Sequence, residues 1–183
     1  RAGLGLYAPT GATSGANGLG NVGTPWWVIQ PNVQLSYLRD GWNLTANLFD
    51  EINTRNPLTG YRSGDILHAE FTATRTVGKW TVGPVAYYVG QISNDKSSSF
   101  YGGAINTNRY NVWAAGALVG YDFGPATLTV WATSEISASA SGGTPISGSD
   151  PASISKGISL FANLSYRLWS PDAPATPSAG HHK

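Results

Sequence analysis

The stretch WNLTANLFDEI, from Trp42 to Ile52, decides how this chain is read. Its even positions begin Trp42, Leu44, Ala46, Leu48. Its odd positions are Asn43, Thr45, Asn47, Phe49 and Glu51. One side is apolar and the other mostly polar, with a period of two residues. That is the signature of a β-strand with two unlike faces. A soluble protein would turn the apolar side to a core. A membrane barrel would turn it to lipid.

Working outward, the same alternation predicts strands over 1–8, 26–38, 42–52, 65–76, 79–93, 110–123, 125–137 and 157–169. Soluble strands cluster near ~five or six residues, whereas a tilted membrane strand needs roughly 9–11. Most of these segments match the longer class. Three connections are very short: Arg39–Gly41, Val77–Lys79 and Phe123–Pro125. Four are long and rich in Gly, Ser, Asn and Thr: 9–25, 53–64, 94–109 and 138–156. Short and long alternate strictly, so all the short turns fall on one rim and all the long loops on the other. Bacterial outer-membrane barrels are built this way.

The charges favour lipid over core. Glu51, Glu70, Glu135 and Arg167 all have polar-face parity, beside Gln30, Asn32, Asn47, His68, Thr129 and Asn163. A buried Glu or Arg in a soluble core needs a partner. On the wet side of a barrel it does not. The opposite parity carries Leu44, Ala69, Phe71, Leu128, Val130, Leu160 and Leu164. Asp50 and Arg75 break the rule, and both are expected at strand ends, near head groups. Segment 79–93 is apolar on both faces, and its parity stays open. Trp131 and Phe161 are aromatic members of the polar face.

Composition agrees. Only 11% of the 183 residues are charged, against about 25% in ordinary soluble domains. The net charge of +1 and the lack of any basic run give no reason to expect nucleic acid. With no Cys there are no disulfides and no thiolate metal sites. No apolar run reaches the ~18 residues of a membrane helix. No leader-like segment opens the sequence, so an exported protein is expected in mature form or as a fragment. Trp42, Trp80, Tyr121, Phe123, Tyr166 and Trp169 gather toward the short-turn rim, and Trp26, Trp27, Tyr110 and Trp113 toward the other. Two aromatic girdles are expected at the two membrane interfaces.

The segments AGLGLYAPTG (Ala2–Gly11), WWVIQPNVQLSYL (Trp26–Leu38), INTRNPLTGYRSGDILHAEF (Ile52–Phe71) and VGPVAYYVGQISND, with the final strand, carry a family resemblance. The chain resembles the outer-membrane barrels of the meta-pathway of phenol degradation, from about Ala2 to Trp169. The resemblance implies an outer-membrane location and uptake of small hydrophobic or aromatic compounds. It also implies further strands before YAPTG; the eight strands here are an even number that could close alone, but about ten to twelve are expected in the intact protein. The fold expected is therefore all-β: an antiparallel up-and-down transmembrane β-barrel over 1–169, with a Pro/Ala-rich disordered tail over 170–183. The expected partners are outer-membrane lipid and lipopolysaccharide, a small-molecule solute, and the barrel-assembly machinery through the C-terminal strand, KGISLFANLSYRLW. No cofactor and no metal are expected.

The residues expected to line the interior and meet a solute are Gln30, Asn32, Asn47, Glu51, Arg62, His68, Glu70, Trp131, Glu135, Phe161, Asn163 and Arg167. Arg62 belongs to GYRSGD, where it is also placed to pair with Asp65. His68 is the one histidine before the tail and lies two residues from Glu70. An enzyme reading would make His68 a base oriented by that carboxylate, but neither GxSxG nor HExxH accompanies it. DEINTRN, at Asp50–Asn56, clusters oxygen ligands without the spacing of a calcium loop. The function expected is a channel for passive uptake of small solutes and not an enzyme; the alternatives are an outer-membrane enzyme or lipid-binding barrel using His68 and Glu70, and a structural or adhesive surface barrel.

Overall fold

A computed structural model describes residues 1–11, 23–105, 107–143 and 154–168. Eight strands form one antiparallel sheet in which sequence order is spatial order. They are β1 (Ala2–Tyr7), β2 (Val28–Arg39), β3 (Trp42–Asn53), β4 (Ile66–Val77), β5 (Trp80–Gln91), β6 (Arg109–Asp122), β7 (Ala126–Ser141) and β8 (Ile158–Tyr166). The up-and-down order and the sorting of turns match the sequence expectation. Closure does not. Among the described residues β1 pairs only with β2 and β8 only with β7, so the sheet is open. The reason is that neither edge strand meets a second partner. The 14–16-residue strands β6 and β7 are long, while β1 has six residues. The tail 170–183, Trp169 and much of loops 9–25 and 138–156 lie outside the described residues.

The short turns follow from local chemistry. Asp40 and Gly41 both have positive φ, 53° and 78°. Two left-handed residues make the twisted two-residue turn that a hairpin prefers, and Asp-Gly suits it. It closes on the Arg39–Trp42 pair. The third turn is held by the Asp122 carboxylate, which accepts from the Gly124 N–H at 2.7 Å.

Register settles the faces. Gln34, Asn47, Glu70, Tyr87, Ala114 and Glu135 stand opposite one another in one row across six strands. The next rows toward the short turns run Ser36–Thr45–Thr72–Val85–Gly116–Thr133–Ser159, then Asn43–Thr74 and Leu118–Trp131–Phe161. So Val85, Tyr87 and Val89 of the ambiguous strand share the polar face, and Trp80, Val82 and Tyr88 share the apolar one. Strand β7 runs four residues beyond the expected 137. At Trp113/Ala114 the register slips, because Ile136 is an extra residue. Such a bulge flips the face of all that follows. Beyond it Ala138 and Ala140 take the polar face while Ser137 and Ser139 take the other. The alternation therefore fades in sequence although the strand continues.

Burial is inverted relative to a soluble fold. Among the described residues no large side chain is fully buried. Leu35 is 69% exposed and Leu164 67%, whereas Thr74, Thr133, Asn53 and Gln91 are buried. The polar face is the concave one, since single cavities on it span β4 to β8. On the apolar face Trp80, Tyr121 and Phe123 stack edge to face near the short turns, with centroids 4.7 Å apart in each pair. Arg75 covers the Trp42 ring at 5.4 Å. Asp50 does not sit at a strand end as expected. It pairs with Leu67 inside β3 on the apolar side, and its Oδ1 is buried without a partner among the described residues.

Candidate functional site

The concave face holds two adjoining cavities of about 320 and 360 Å³. Both are lined by Glu70, Tyr87, Trp131 and Thr133. The second also reaches His68 and Phe161. Space exists there because in these two rows β6 offers only the small Ala114 and Gly116, between Tyr87 and Val85 on one side and Glu135 and Thr133 on the other. Ala114 is 1% exposed. Over it the Tyr87 hydroxyl reaches Glu135 Oε1 at 3.1 Å. The second oxygen of Glu135 accepts from the Gly157 N–H at 2.7 Å, anchoring the chain ahead of β8.

Trp131 and Phe161, cross-strand partners, stack with centroids 5.2 Å apart and planes 17° off parallel. Offset stacking of this kind is the favoured ring geometry. Glu70 accepts from the Asn47 amide at 3.2 Å. His68 does not pair with Glu70. Residues i and i+2 share a face but stand roughly 7 Å apart along a strand, and the shorter reach is sideways. His68 therefore lies flat on Phe49, 4.4 Å between centroids, with Nε2 3.5 Å from Glu51 Oε1. That separation is an ion-pair distance without hydrogen-bond alignment, since Nε2 lacks a bonded partner. Gln30 bridges the Glu51 carboxylate at 3.4 Å and the Tyr7 hydroxyl at 3.1 Å. Asn32 covers Gly3 on the same face. Near the short turns Asn163 accepts from Ser165 at 3.0 Å. The Arg167 backbone N–H donates to Pro125 at 2.9 Å.

Arg62 stands apart from these residues, in a polar cluster at the long-loop rim. Its guanidinium donates to both Asp65 oxygens, at 3.0 and 3.4 Å, and to the Asn53 carbonyl at 2.8 Å. Its backbone exchanges two hydrogen bonds with Lys96, so loop 53–65 is stitched to the loop after β5. Asp95 accepts from the Tyr61 hydroxyl, the Gly64 N–H and the Gln91 amide, each at 2.7 Å. A Cβ at Gly64 would fall 1.9 Å from the Ser93 carbonyl oxygen, so only glycine fits. Burial first, then the hydrogen bond to Asp95 and its charge, push the Tyr61 phenol above its ordinary value of 10.0. GYRSGD is thus a structural clasp, and Arg62 is its hub. Among the described residues no group of three or more His, Cys, Asp or Glu side chains comes together as metal ligands would, at DEINTRN or elsewhere.

Tyr87 and Thr133 are not among the expected lining residues, although alternation along 125–137 gives Thr133 polar-face parity. Tyr87 sits in VGPVAYYVGQ, where both parities are apolar, and only its register against Glu70 assigns it. A larger depression of about 670 Å³ lies on the opposite face, over Ala46, Ala73 and Ala86 between Leu35, Leu44 and Phe71. It is a gap left by small side chains in an apolar surface, without the converging polar groups of the concave face.

No curated protein and no solved structure matches the chain. A family model does, over residues 1–145, the span that holds the first seven strands, the rim clasp and most of the concave face. The chain belongs to the family described as "Putative MetA-pathway of phenol degradation".

Proposed function

We propose that this chain forms the strands of an outer-membrane β-barrel through which small, apolar or aromatic solutes pass passively. The observation that carries this reading is the inverted burial. Leu35, Leu44, Leu48, Phe71, Val119, Leu160 and Leu164 are exposed on one continuous face, while Thr74, Thr133 and Gln91 are buried on the other. An apolar face of that extent needs a solvent in which it is not penalised, and hydrocarbon is that solvent. The outward aromatic clusters near the short turns fit a membrane interface. The open edges of β1 and β8 then require further pairing, because an unpaired edge cannot stand in lipid.

The concave face supports passage over a sealed structural barrel, since it keeps open cavities beside Glu70 and Trp131 instead of filling them. It also speaks against the hydrolase arrangement, in which Glu70 would orient His68. Family membership points the same way, toward a part in the handling of phenolic compounds. The test is reconstitution of the protein in liposomes, with flux of phenol-like and sugar-like solutes measured side by side. The proposal expects both vesicle permeability above empty liposomes and faster entry of the aromatic solute. Vesicles no leakier than controls would overturn it.

A further inference from the structure

We infer that the paired cavities on the concave face form a charge-selecting site for small aromatic molecules, one that favours a cationic or neutral group on the ring and rejects a carboxylate. The inference rests on the reading of this face as the lining of a passage, and it names the class of solute admitted.

Two carboxylates stand on the central row, Glu70 and Glu135, and a third, Glu51, stands two rows nearer the long loops. Among the described residues those rows carry no Lys, and the only Arg of the same parity there is Arg1, at the free edge of β1. Arg1 is three strand spacings from Glu70, roughly 14 Å, and Arg167 is at the short-turn rim. His68 is engaged with Phe49 and Glu51. Glu70 and Glu135 are held by neutral donors alone, the Asn47 amide, the Tyr87 hydroxyl and a backbone N–H. Their charge is oriented but not cancelled. Acidic linings are how passages select cations, and a concave low-dielectric wall strengthens the field.

Two further features point to a ligand. Thr133 is only 6% exposed, lines both cavities, and its Oγ1 has no hydrogen-bond partner among the described residues. A buried hydroxyl without a protein partner is satisfied by an ordered water or by a group supplied from outside. Beside it the Trp131 indole lines both cavities as well, and indole is the ring to which a cation is drawn most strongly. A planar solute would meet Trp131 and Phe161 with its ring, Thr133 with a polar substituent, and Glu70 or Glu135 with a positive charge.

Three probes share a ring and differ in charge: benzylammonium, benzyl alcohol and benzoate. Binding to the purified full chain in detergent micelles is read by tryptophan fluorescence, with Trp131→Phe identifying the responding indole. The expected order of affinity is ammonium, then alcohol, then carboxylate. Glu70→Gln and Glu135→Gln should each weaken benzylammonium by about three- to tenfold, the effect of one charge several ångströms away, and leave benzyl alcohol within about twofold. High salt should compress the spread. Benzoate binding as tightly as benzylammonium overturns the inference, and that comparison needs only the unsubstituted protein. Liposome flux of the same probes separates the two readings. Ordered binding without flux would sink the passage and keep the site. Flux of all three at one rate, with equal binding, would sink the site and keep the passage.

Discussion

Tyr87 and Glu135 are joined by a 3.1 Å hydrogen bond although their strands do not pair. The bond passes over Ala114 of the strand between them. It exists only because that strand offers a methyl group, and it marks where β5 and β7 approach each other across β6.

Replacing Ala114 with Leu should fill this space, displace the Tyr87 hydroxyl and shrink both cavities. Solute flux in liposomes should fall several-fold. Tyr87→Phe should keep the cavity and cost about 1 kcal/mol in urea unfolding, the worth of one hydrogen bond. Unchanged flux in Ala114→Leu would show that solute does not pass this point.

The faces predict an asymmetry between neighbours. Leu128 lies on the apolar side and Thr129 on the polar side of β7. Leu128→Arg should destabilise the membrane-inserted protein by roughly 2–4 kcal/mol if it lies near the bilayer midplane. Thr129→Arg should cost far less. Equal losses in folding titrations from urea into lipid vesicles would contradict the assignment of faces.

The rim clasp should fail at its hub. Arg62→Ala leaves the Asn53 carbonyl without the guanidinium and Asp65 with only the Asn53 N–H and the Ser93 hydroxyl, and should cost about 1–3 kcal/mol. Gly64→Ala should do at least as much harm, because its methyl meets the Ser93 carbonyl. Both should speed proteolysis within loop 53–65 while the strands stay protected.

Tyr61 gives the clasp a pH dependence of definite sign. Its phenol is raised above 10.0 in the fold, so the folded state holds that proton more tightly than the unfolded chain does. The resulting stability is fully present below pH 10 and is lost as pH climbs toward the raised value. Tyr61→Phe should flatten this alkaline decline. An identical alkaline profile in the variant would place the titration elsewhere.

His68→Ala should change flux modestly and in a graded way, since His68 packs on Phe49 and faces Glu51 at 3.5 Å without touching a nucleophile. Changes at His68 and Asn163, far apart on this face, should add. Abolition of a turnover activity in His68→Ala, with the sheet intact, would favour the enzyme instead.

The sequence by itself determined the strands, their up-and-down order, and which residues share a face. Alternation in WNLTANLFDEI reads directly because period two is a property of the backbone, and Asp40–Gly41 marks its turn by the same local logic. The expected outward set, Leu44 to Leu164, shares one face in the sheet, and of the expected inward set Asn47, His68, Glu70, Thr129 and Asn163 share the other, while Arg167 follows the end of β8. Whatever depended on register across strands was decided only by tertiary structure. His68 stacks on Phe49, in place of pairing with Glu70, because directly opposed residues in a sheet lie closer than alternate residues along a strand, and its ring edge then faces Glu51, diagonal to it across the β3–β4 pair. Tyr87 gained its face from pairing with Glu70, since its own segment is apolar on both sides. Ile136 reversed the end of β7 through one extra residue, which no composition reveals. Arg62 became a clasp because Asp65, Asn53 and the Lys96 backbone converge on it from segments up to 34 positions distant. The open edges of β1 and β8 are likewise a tertiary fact, because closure depends on how many strands meet and at what stagger.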